Sequence, residues 1–346
     1  MQCLFSLFNC LSWLGFRDCL IRNLAFFPPE APELPRALIL HQTLEMPLIS
    51  PASSSSMKEE PSLNIDPFIE KEESMPLLQQ EYYSFELRNG GKTYGFLYRN
   101  LDPRKKKLVF LFSHGNSSEI CQMQGFFLNL TLRLKVDLFA YEYTGYGHAS
   151  MVSPSEETLL YDIEGAYRFL TNEMRYPPNQ IILYGQSLGS VPSLYLSSNP
   201  EFPLKGLILH SPIASGLRIL QPGLRQTLAN DFFPNIEMIG YVRCPIMIIH
   251  GENDQVINIE HAKLLVGRAQ TLMMVWWVEE CGHEDIIEKR GNEFYRNVKK
   301  FMKLFKKDEK FVAAGHSFTF ARTYERFFRQ FQREKQTFFI NNTISD

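Results

Sequence analysis

The chain has 346 residues, of which 45% are hydrophobic and 21% charged, and its formal net charge is −2. This length predicts one large globular domain with extensions, and the near-neutral charge gives no electrostatic reason to expect nucleic-acid binding. The sequence has neither a zinc-type Cys-x-x-Cys nor a glycine-rich phosphate loop with a following lysine, so we expect no metal ion and no cofactor. Cys121, Cys244 and Cys281 are scattered singly, which predicts reduced thiols in a domain that faces the cytosol.

Residues 1–40 are predicted to form a membrane-associating segment. Its first 27 residues are mostly apolar and aromatic, but Arg17, Asp18 and Arg22 interrupt the run, which leaves it short for a transmembrane helix. The features of a signal peptide are not clear either. A segment that lies at the membrane interface and carries fatty acyl chains fits the pattern, and a disordered or merely hydrophobic terminus is the alternative. The cysteines available for S-acylation are Cys3, Cys10 and Cys19.

Two further stretches differ in composition from the rest of the chain. Residues 41–80 are rich in serine and in charged side chains, which predicts a flexible linker. Residues 306–346 mix basic and aromatic residues. This C-terminal extension is interpreted either as a basic amphipathic helix at an anionic membrane or as a solvated extension that packs one apolar face on the domain.

Between them, residues 81–305 show strands and helices in alternation. A hairpin is predicted around the Asn-Gly-Gly turn at residues 89–91, and residues 212–242 are interpreted as a helical excursion over the sheet. In the helix that follows the predicted strand at residues 136–143, Ser153 is predicted as the N-cap, Pro154 as the first helical residue, and Glu156 as the partner in a capping box. The later strands are continuously apolar, so we predict an α/β protein with a mostly parallel sheet covered by helices on both faces. The remaining predicted strands cover residues 107–113, 136–143, 181–184, 204–210, 244–250 and 272–278.

The apolar strand at residues 181–184 leads into Gly185-Gln186-Ser187-Leu188-Gly189. A Gly-x-Ser-x-Gly sequence after an apolar strand is the pattern of a nucleophile elbow, a sharp turn that presents a serine oxygen at the end of the strand. The two glycines lack the Cβ atoms that would clash in such a turn. An ordinary glycine-flanked turn is the alternative unless the rest of the chain supplies an acid and a histidine.

An acid and a histidine follow two later strands, in the order Ser187, Asp254, His283. This is the order of α/β-hydrolases, and it places all three residues at the same edge of the sheet. Asp254 is favoured over Glu252 because it lies farther into its loop, with room to reach the histidine. Glu284 and Asp285 are the other acids weighed, and His148 and His210 are the other histidines. A structural role is predicted for His210. His114 is interpreted as a loop-building residue.

Two backbone amides are predicted to form an oxyanion hole. One belongs to Leu188, the residue after the nucleophile, and the other to Asn116 in the loop after the early strand, with Ser117 as its alternative. Gly115 lets this loop turn tightly, so that the amide of Asn116 can point towards the serine.

Longer motifs around these residues resemble the α/β-hydrolase-domain-containing protein 17 family over about residues 81–305. Residues 24–30 are similar to that family's segment just after its cysteine-rich start. The motifs that carry the resemblance are residues 112–116, 143–147, 183–189, 209–216, 233–237 and 248–251, together with Asp254 and Gly282-His283.

The resemblance implies a serine hydrolase with an α/β-hydrolase fold that removes S-linked palmitoyl groups from membrane proteins. The family's nucleophile, acid and base fall on Ser187, Asp254 and His283. It also implies that the N-terminal cysteines are acylated and hold the enzyme on the cytoplasmic face of the plasma or an endosomal membrane. Its expected partners are S-acylated proteins and the membrane surface. A lipase or carboxylesterase acting on small lipid esters is the enzymatic alternative, and a non-enzymatic membrane adaptor that retains the scaffold is the other.

Overall fold

The computed structural model describes residues 17–29, 78–149 and 152–304, and within them an eight-stranded sheet runs through the centre of the protein. The strand order is β1-β2-β4-β3-β5-β6-β7-β8. β1 pairs antiparallel with β2 and β2 with β4, whereas all pairs from β4 to β8 are parallel. The strands are β1 (Leu78–Glu86), β2 (Lys92–Asn100), β3 (Val109–Ser113), β4 (Asp137–Tyr141), β5 (Ile181–Gln186), β6 (Gly206–His210), β7 (Ile246–Gly251) and β8 (Leu272–Val278).

Helices connect the parallel strands and cover the sheet. Every residue of β3, β4, β6 and β7 is buried. Because neighbouring residues of a strand point to opposite faces, both faces of the sheet must be covered. The described helices are α1 (Arg17–Ala25), α2 (Gln124–Leu134), α3 (Glu156–Arg168), α4 (Ser190–Ser198), α5 (Gly216–Leu220), α6 (Asn235–Met238), α7 (Glu260–Val266) and α8 (Ile286–Leu304).

Aromatic side chains fill one side of the central strands. Phe112 of β3 stacks on Tyr184 of β5 at a centroid distance of 5.0 Å, and Phe127 of α2 meets Phe112 edge-on at 5.1 Å. All three are fully buried. Each such ring removes a large apolar area from water, so this cluster holds the middle of the sheet rigid beneath the loops at its carboxyl edge.

The hairpin prediction is confirmed, while the predicted helix cap is wrong by two residues. β1 and β2 pair in register from Glu86–Lys92 to Leu78–Asn100, so the first strand already begins ahead of residue 81. The N-cap of α3 is Ser155, whose Oγ accepts the Thr158 amide at 3.1 Å, and not Ser153. Pro154 lies against Gly145, and the chain stays extended up to Ser155 before it turns into the helix.

The excursion between β6 and β7 contains only short helices, α5 and α6, and irregular backbone. Helix α1 packs near it. Arg17 donates to the Asp231 carbonyl at 2.8 Å and pairs with Glu156 at 3.3 Å, and the ring of Phe26 meets that of Phe233 edge-on at 5.8 Å. The N-terminal segment is thus joined to the rest of the domain from Arg17 onwards.

Several predictions fall on residues that are not described. Cys3 and Cys10, most of the linker, and the C-terminal extension lie outside the described residues, and so does the side chain of Cys19. Among the helices that are described, none combines the length and the apolar character needed to cross a membrane.

Candidate active site

Ser187 lies at the sharp turn between β5 and α4. Its φ is +52°, in the left-handed region that non-glycine residues seldom adopt, and the residue is buried, with 8% of its surface exposed. A Cβ atom on Gly185 would come within 2.5 Å of the Gly189 carbonyl oxygen, and one on Gly189 would overlap the Ser113 carbonyl oxygen. The steric reason expected for the Gly-x-Ser-x-Gly spacing is therefore confirmed.

A chain of hydrogen bonds links Ser187 with His283 and Asp254. His283 Nε2 lies 2.9 Å from Ser187 Oγ, and His283 Nδ1 lies 2.7 Å from Asp254 Oδ2. The three residues follow β5, β7 and β8 at the carboxyl edge of the sheet, as their order in the sequence predicts. An ionised carboxylate only accepts, so the Nδ1 atom carries the proton and Nε2 is free to accept the serine proton.

The carboxylate of Asp254 is buried but fully hydrogen-bonded. Its Oδ1 atom accepts the amides of Val256 at 2.9 Å and Ile257 at 2.8 Å, while Oδ2 faces His283 and, at 3.2 Å, His250 Nε2. Burial raises the pKa of this carboxyl, but the hydrogen bonds from His250 and His283 outweigh it, and the pKa ends well below its ordinary value. Asp254 is therefore ionised at neutral pH.

The competing acids lie elsewhere. Glu252 and Glu284 are exposed to solvent, and Asp285 accepts the Gly282 amide at 2.7 Å and pairs with Lys289. None of these contacts points to the histidine. The structure thus brings Asp254 to His283 and leaves the alternatives in surface or helix-capping contacts.

The other histidines have structural surroundings. His210 is buried beside Tyr184, whose hydroxyl lies 2.8 Å from Nδ1, and desolvation lowers the pKa of His210 to about 3. His261 accepts the Ala214 amide at 3.0 Å, and desolvation lowers its pKa to about 4. Both rings are neutral at physiological pH. The structural role expected for His210 agrees with this environment, whereas His261 was not singled out by the sequence.

The loop after β3 runs beside Ser187. A Cβ atom on Gly115 would lie 3.8 Å from Ser187 Cβ, and the Asn116 side-chain oxygen accepts the Tyr146 hydroxyl at 2.6 Å and the Phe27 amide at 3.0 Å. Leu188 is buried in the turn that opens α4. These positions place Leu188 and Asn116 next to Ser187, and the direction of their backbone amides, with Ser117 as the alternative, stays a prediction.

His114 anchors this loop from beneath. It is fully buried, its Nε2 atom lies 2.8 Å from Glu142 Oε1, and its carbonyl accepts the Tyr143 hydroxyl at 2.7 Å. Glu142 also accepts the Ile120 amide at 3.1 Å. The sequence identified His114 as a loop-building residue but missed Glu142, because a glutamate at the end of a buried strand has no local signature of its partner.

No metal centre is apparent in this part of the protein. Within residues 17–29, 78–149 and 152–304, no group of three or more histidine, cysteine, aspartate or glutamate side chains is arranged to hold a metal ion.

No family model matches the chain. Among curated proteins, it is 43% identical over 178 residues to alpha/beta hydrolase domain-containing protein aho-3 of Caenorhabditis elegans. It is 41% identical to alpha/beta hydrolase domain-containing protein 17B of Homo sapiens over 180 residues, and to 17C of Xenopus tropicalis over 196 residues. The matches cover 51%, 52% and 57% of this chain, and they span 53%, 62% and 62% of the relatives' own lengths.

Solved structures show the fold. The Pyrococcus furiosus esterase Pf2001 aligns with a TM-score of 0.54 at 13% identity over 65% of this chain and 92% of its own. DcsB, solved with a substrate analogue, aligns with a TM-score of 0.53 at 12% identity over 65% of this chain and 98% of its own. The predicted α/β-hydrolase fold is confirmed by these neighbours and by the sheet described above.

Proposed function

Because this chain belongs to the alpha/beta hydrolase domain-containing protein 17 family and has the fold of an α/β hydrolase, we propose that it is a serine hydrolase that removes S-linked palmitoyl groups from membrane-associated proteins. The observation that carries the proposal is the hydrogen-bonded chain from Ser187 through His283 to Asp254 at the carboxyl edge of the sheet. The thioester preference rests on the resemblance to the family.

In the proposed mechanism, Ser187 Oγ attacks the thioester carbonyl while His283 Nε2 takes the serine proton. The tetrahedral intermediate collapses, the carbon–sulfur bond breaks, and His283 returns its proton to the departing cysteine thiolate. A water molecule then attacks the acyl-enzyme with His283 as the base, which releases the fatty acid and restores Ser187. Asp254 holds His283 in the required tautomer and stabilises the imidazolium formed in both steps.

The backbone amides of Leu188 and Asn116 would stabilise the oxyanion of both tetrahedral intermediates. Removing one such donor typically costs about 3–4 kcal/mol of transition-state stabilisation. The position of the loop that carries Asn116, beside the Ser187 Cβ atom, supports this assignment.

Membrane association completes the proposal. S-acylation of Cys3, Cys10 and Cys19 would add about 0.8 kcal/mol per buried CH₂, so two or three chains anchor the protein stably where one does not. Helix α1 begins seven residues after Cys10, includes Cys19, and contacts the rest of the domain through Arg17. An anchor at the N-terminus would therefore keep the catalytic domain near the cytoplasmic face of the plasma or an endosomal membrane, where S-acylated substrate proteins reside.

The test compares hydrolysis of a palmitoyl-cysteine peptide thioester with hydrolysis of a monoacylglycerol by the full chain. Wild type is expected to hydrolyse the thioester faster, and Ser187→Ala is expected to lose this activity together with labelling by a fluorophosphonate probe. Ser198→Ala is the matched control, because this serine lies at the far end of helix α4 and its hydroxyl donates to the Tyr195 carbonyl. Full thioester turnover by Ser187→Ala would refute the mechanism, and faster turnover of the glyceride would make the protein a lipase.

A further inference from the structure

We infer that His250 is a second histidine bound to the triad acid, a positioning residue whose Nε2–H group holds Asp254 in the orientation that His283 requires. This inference rests on the proposed function, since it concerns how the same acid works. His250 is fully buried at the carboxyl end of β7, four residues before Asp254. It belongs to neither the predicted triad nor the predicted oxyanion hole.

Two contacts define the protonation of the His250 ring. Its Nε2 atom lies 2.8 Å from the Ile257 carbonyl oxygen and 3.2 Å from Asp254 Oδ2. A carbonyl oxygen only accepts hydrogen bonds, so Nε2 carries a proton and donates it to Ile257, while Asp254 Oδ2 is the second, longer contact of the same N–H group. The Nδ1 atom is buried and has no hydrogen-bond partner among the described residues. A proton there would be an unsatisfied buried donor, which favours the neutral ring protonated on Nε2.

Hydrogen-bond donors contact both oxygens of the Asp254 carboxylate. Ile257 accepts from His250 through its carbonyl oxygen and donates its amide to Asp254 Oδ1, while His283 and His250 share Oδ2. A carboxylate held by donors on both oxygens has little freedom to rotate. Because misplacement of a catalytic group by about 1 Å can cost about 100-fold in rate, fixing this orientation matters for the proton transfer at His283.

The Nε2–H group also moderates the charge of Asp254. It withdraws electron density from the oxygen that His283 contacts, so without it that oxygen would hold a protonated His283 more tightly. Three titratable groups interact with His250 from the surrounding elements, namely Asp254 in its own loop, His261 on α7 and His210 at the end of β6. His283, after β8, contacts the same Asp254 oxygen.

The experiment measures kcat/KM for the thioester from pH 5 to 9, and the rate at which a fluorophosphonate labels Ser187, in the full chain. His250→Leu removes the donor. We expect both rates to fall about 10- to 100-fold, and the acidic limb of the pH profile to move to higher pH. His250→Gln places an amide N–H near the former Nε2 position and should restore most of the rate, whereas His250→Asn, whose shorter amide corresponds to Nδ1, should not.

Two results would overturn the inference. In one, His250→Leu keeps the wild-type rate and acidic limb. In the other, the leucine, glutamine and asparagine variants of His250 all lose thermal stability to a similar extent, and the acidic limb of their pH profiles stays where it is in wild type. If His250→Leu does not fold, His250→Gln and His250→Asn are compared instead. Equal rates and equal acidic limbs in these two variants would then overturn the inference. His261→Leu, which removes another buried histidine, is the control and should destabilise the fold without moving the limb. Failure of the proposed function is distinct, because wild-type activity would then be indifferent to Ser187→Ala.

Discussion

At the scale of single residues, the backbone of Ser187 is the clearest sign of a site built for chemistry. Its positive φ is a conformation that costs about 1–3 kcal/mol and persists only where the surroundings enforce it. Gly185 and Gly189 provide those surroundings, since each lies where a side chain would overlap neighbouring backbone. The strain therefore depends on two residues that take no part in the chemistry.

Gly189→Ala tests this dependence. The new methyl group would overlap the Ser113 carbonyl oxygen, so we expect the elbow to shift, the free energy of unfolding to fall by about 1–3 kcal/mol, and turnover to be lost. Gly291→Ala is the matched control, because its methyl group meets open space on helix α8 and should be neutral or stabilising. Chemical denaturation and thioester turnover measure both effects. Equal behaviour of the two variants would contradict the steric argument.

Asp254→Asn tests the acid. An amide that donates towards His283 Nδ1 imposes the wrong tautomer on the ring, so we expect kcat to fall by about 10⁴-fold with little change in the fold. Glu252→Gln makes the same kind of change two residues earlier, on an exposed side chain, and should leave kcat unchanged. Steady-state kinetics of both variants measures these effects. Loss of activity in Glu252→Gln alone would identify Glu252, and not Asp254, as the acid.

At the scale of secondary-structure elements, α3 holds the loop after β4 through one buried carboxyl group. Asp162 accepts the Thr144 amide at 2.8 Å and the Thr144 hydroxyl at 2.7 Å. Desolvation raises the pKa of Asp162 to about 7, although both hydrogen bonds act to lower it. The unfolded chain releases this proton near pH 4, so between about pH 4 and 7 the folded state binds more protons than the unfolded state.

The stabilising contribution of Asp162 is therefore full below about pH 4 and declines as the pH rises to about 7. Asp162→Asn removes the titration. We expect wild type to lose stability relative to this variant by up to about 1.4 kcal/mol per pH unit between pH 5 and 7. Urea unfolding of both proteins at pH 5, 6, 7 and 8 measures the difference, and a difference that does not change with pH would show that Asp162 does not titrate in this window.

Helix α1 and the residues that follow it offer two neighbouring phenylalanines with opposite environments. Phe26 is buried against Phe233, whereas Phe27 is 54% exposed. Phe26→Ala should release this segment from the domain and speed tryptic cleavage after Arg22, because it leaves a cavity where an aromatic pair was packed. Phe27→Ala keeps its backbone amide on Asn116 and should digest at the wild-type rate. Equal digestion of both variants would mean that Phe26 does not hold the segment.

At the scale of the whole molecule, the proposed function assigns membrane attachment to the three N-terminal cysteines and catalysis to the hydrolase domain. Replacing Cys3, Cys10 and Cys19 together with serine should move the protein from the membrane to the soluble fraction, because no acyl chains could then be attached. Cell fractionation measures this, with Cys121→Ser as the control outside the N-terminus. Retention of the triple variant on membranes would assign the attachment to the C-terminal extension or to a membrane-spanning segment.

The sequence by itself determined the elements and their order. The apolar strands, the hairpin, the elbow and the succession Ser187, Asp254, His283 are encoded over a few residues each, through periodicity and glycine spacing. Parallel strands then bring their carboxyl ends to one edge. Local patterns were less reliable at boundaries, as the cap at Ser155 shows, because several serines and threonines there compete for the same amides.

Only the tertiary structure decided the contacts between distant parts of the chain. These are the contact of His114 with Glu142, the contact of Asp254 with His250 as well as His283, and the hydrogen bonds of the N-terminal segment to Asp231 and Asn116. The contacts of His114 and His250 join buried side chains, and burial removes competing water, whereas the N-terminal segment binds through the Asp231 carbonyl and, in an exposed contact, through the Phe27 amide. Such pairings follow from where the strands and loops come to lie, and no local pattern records them.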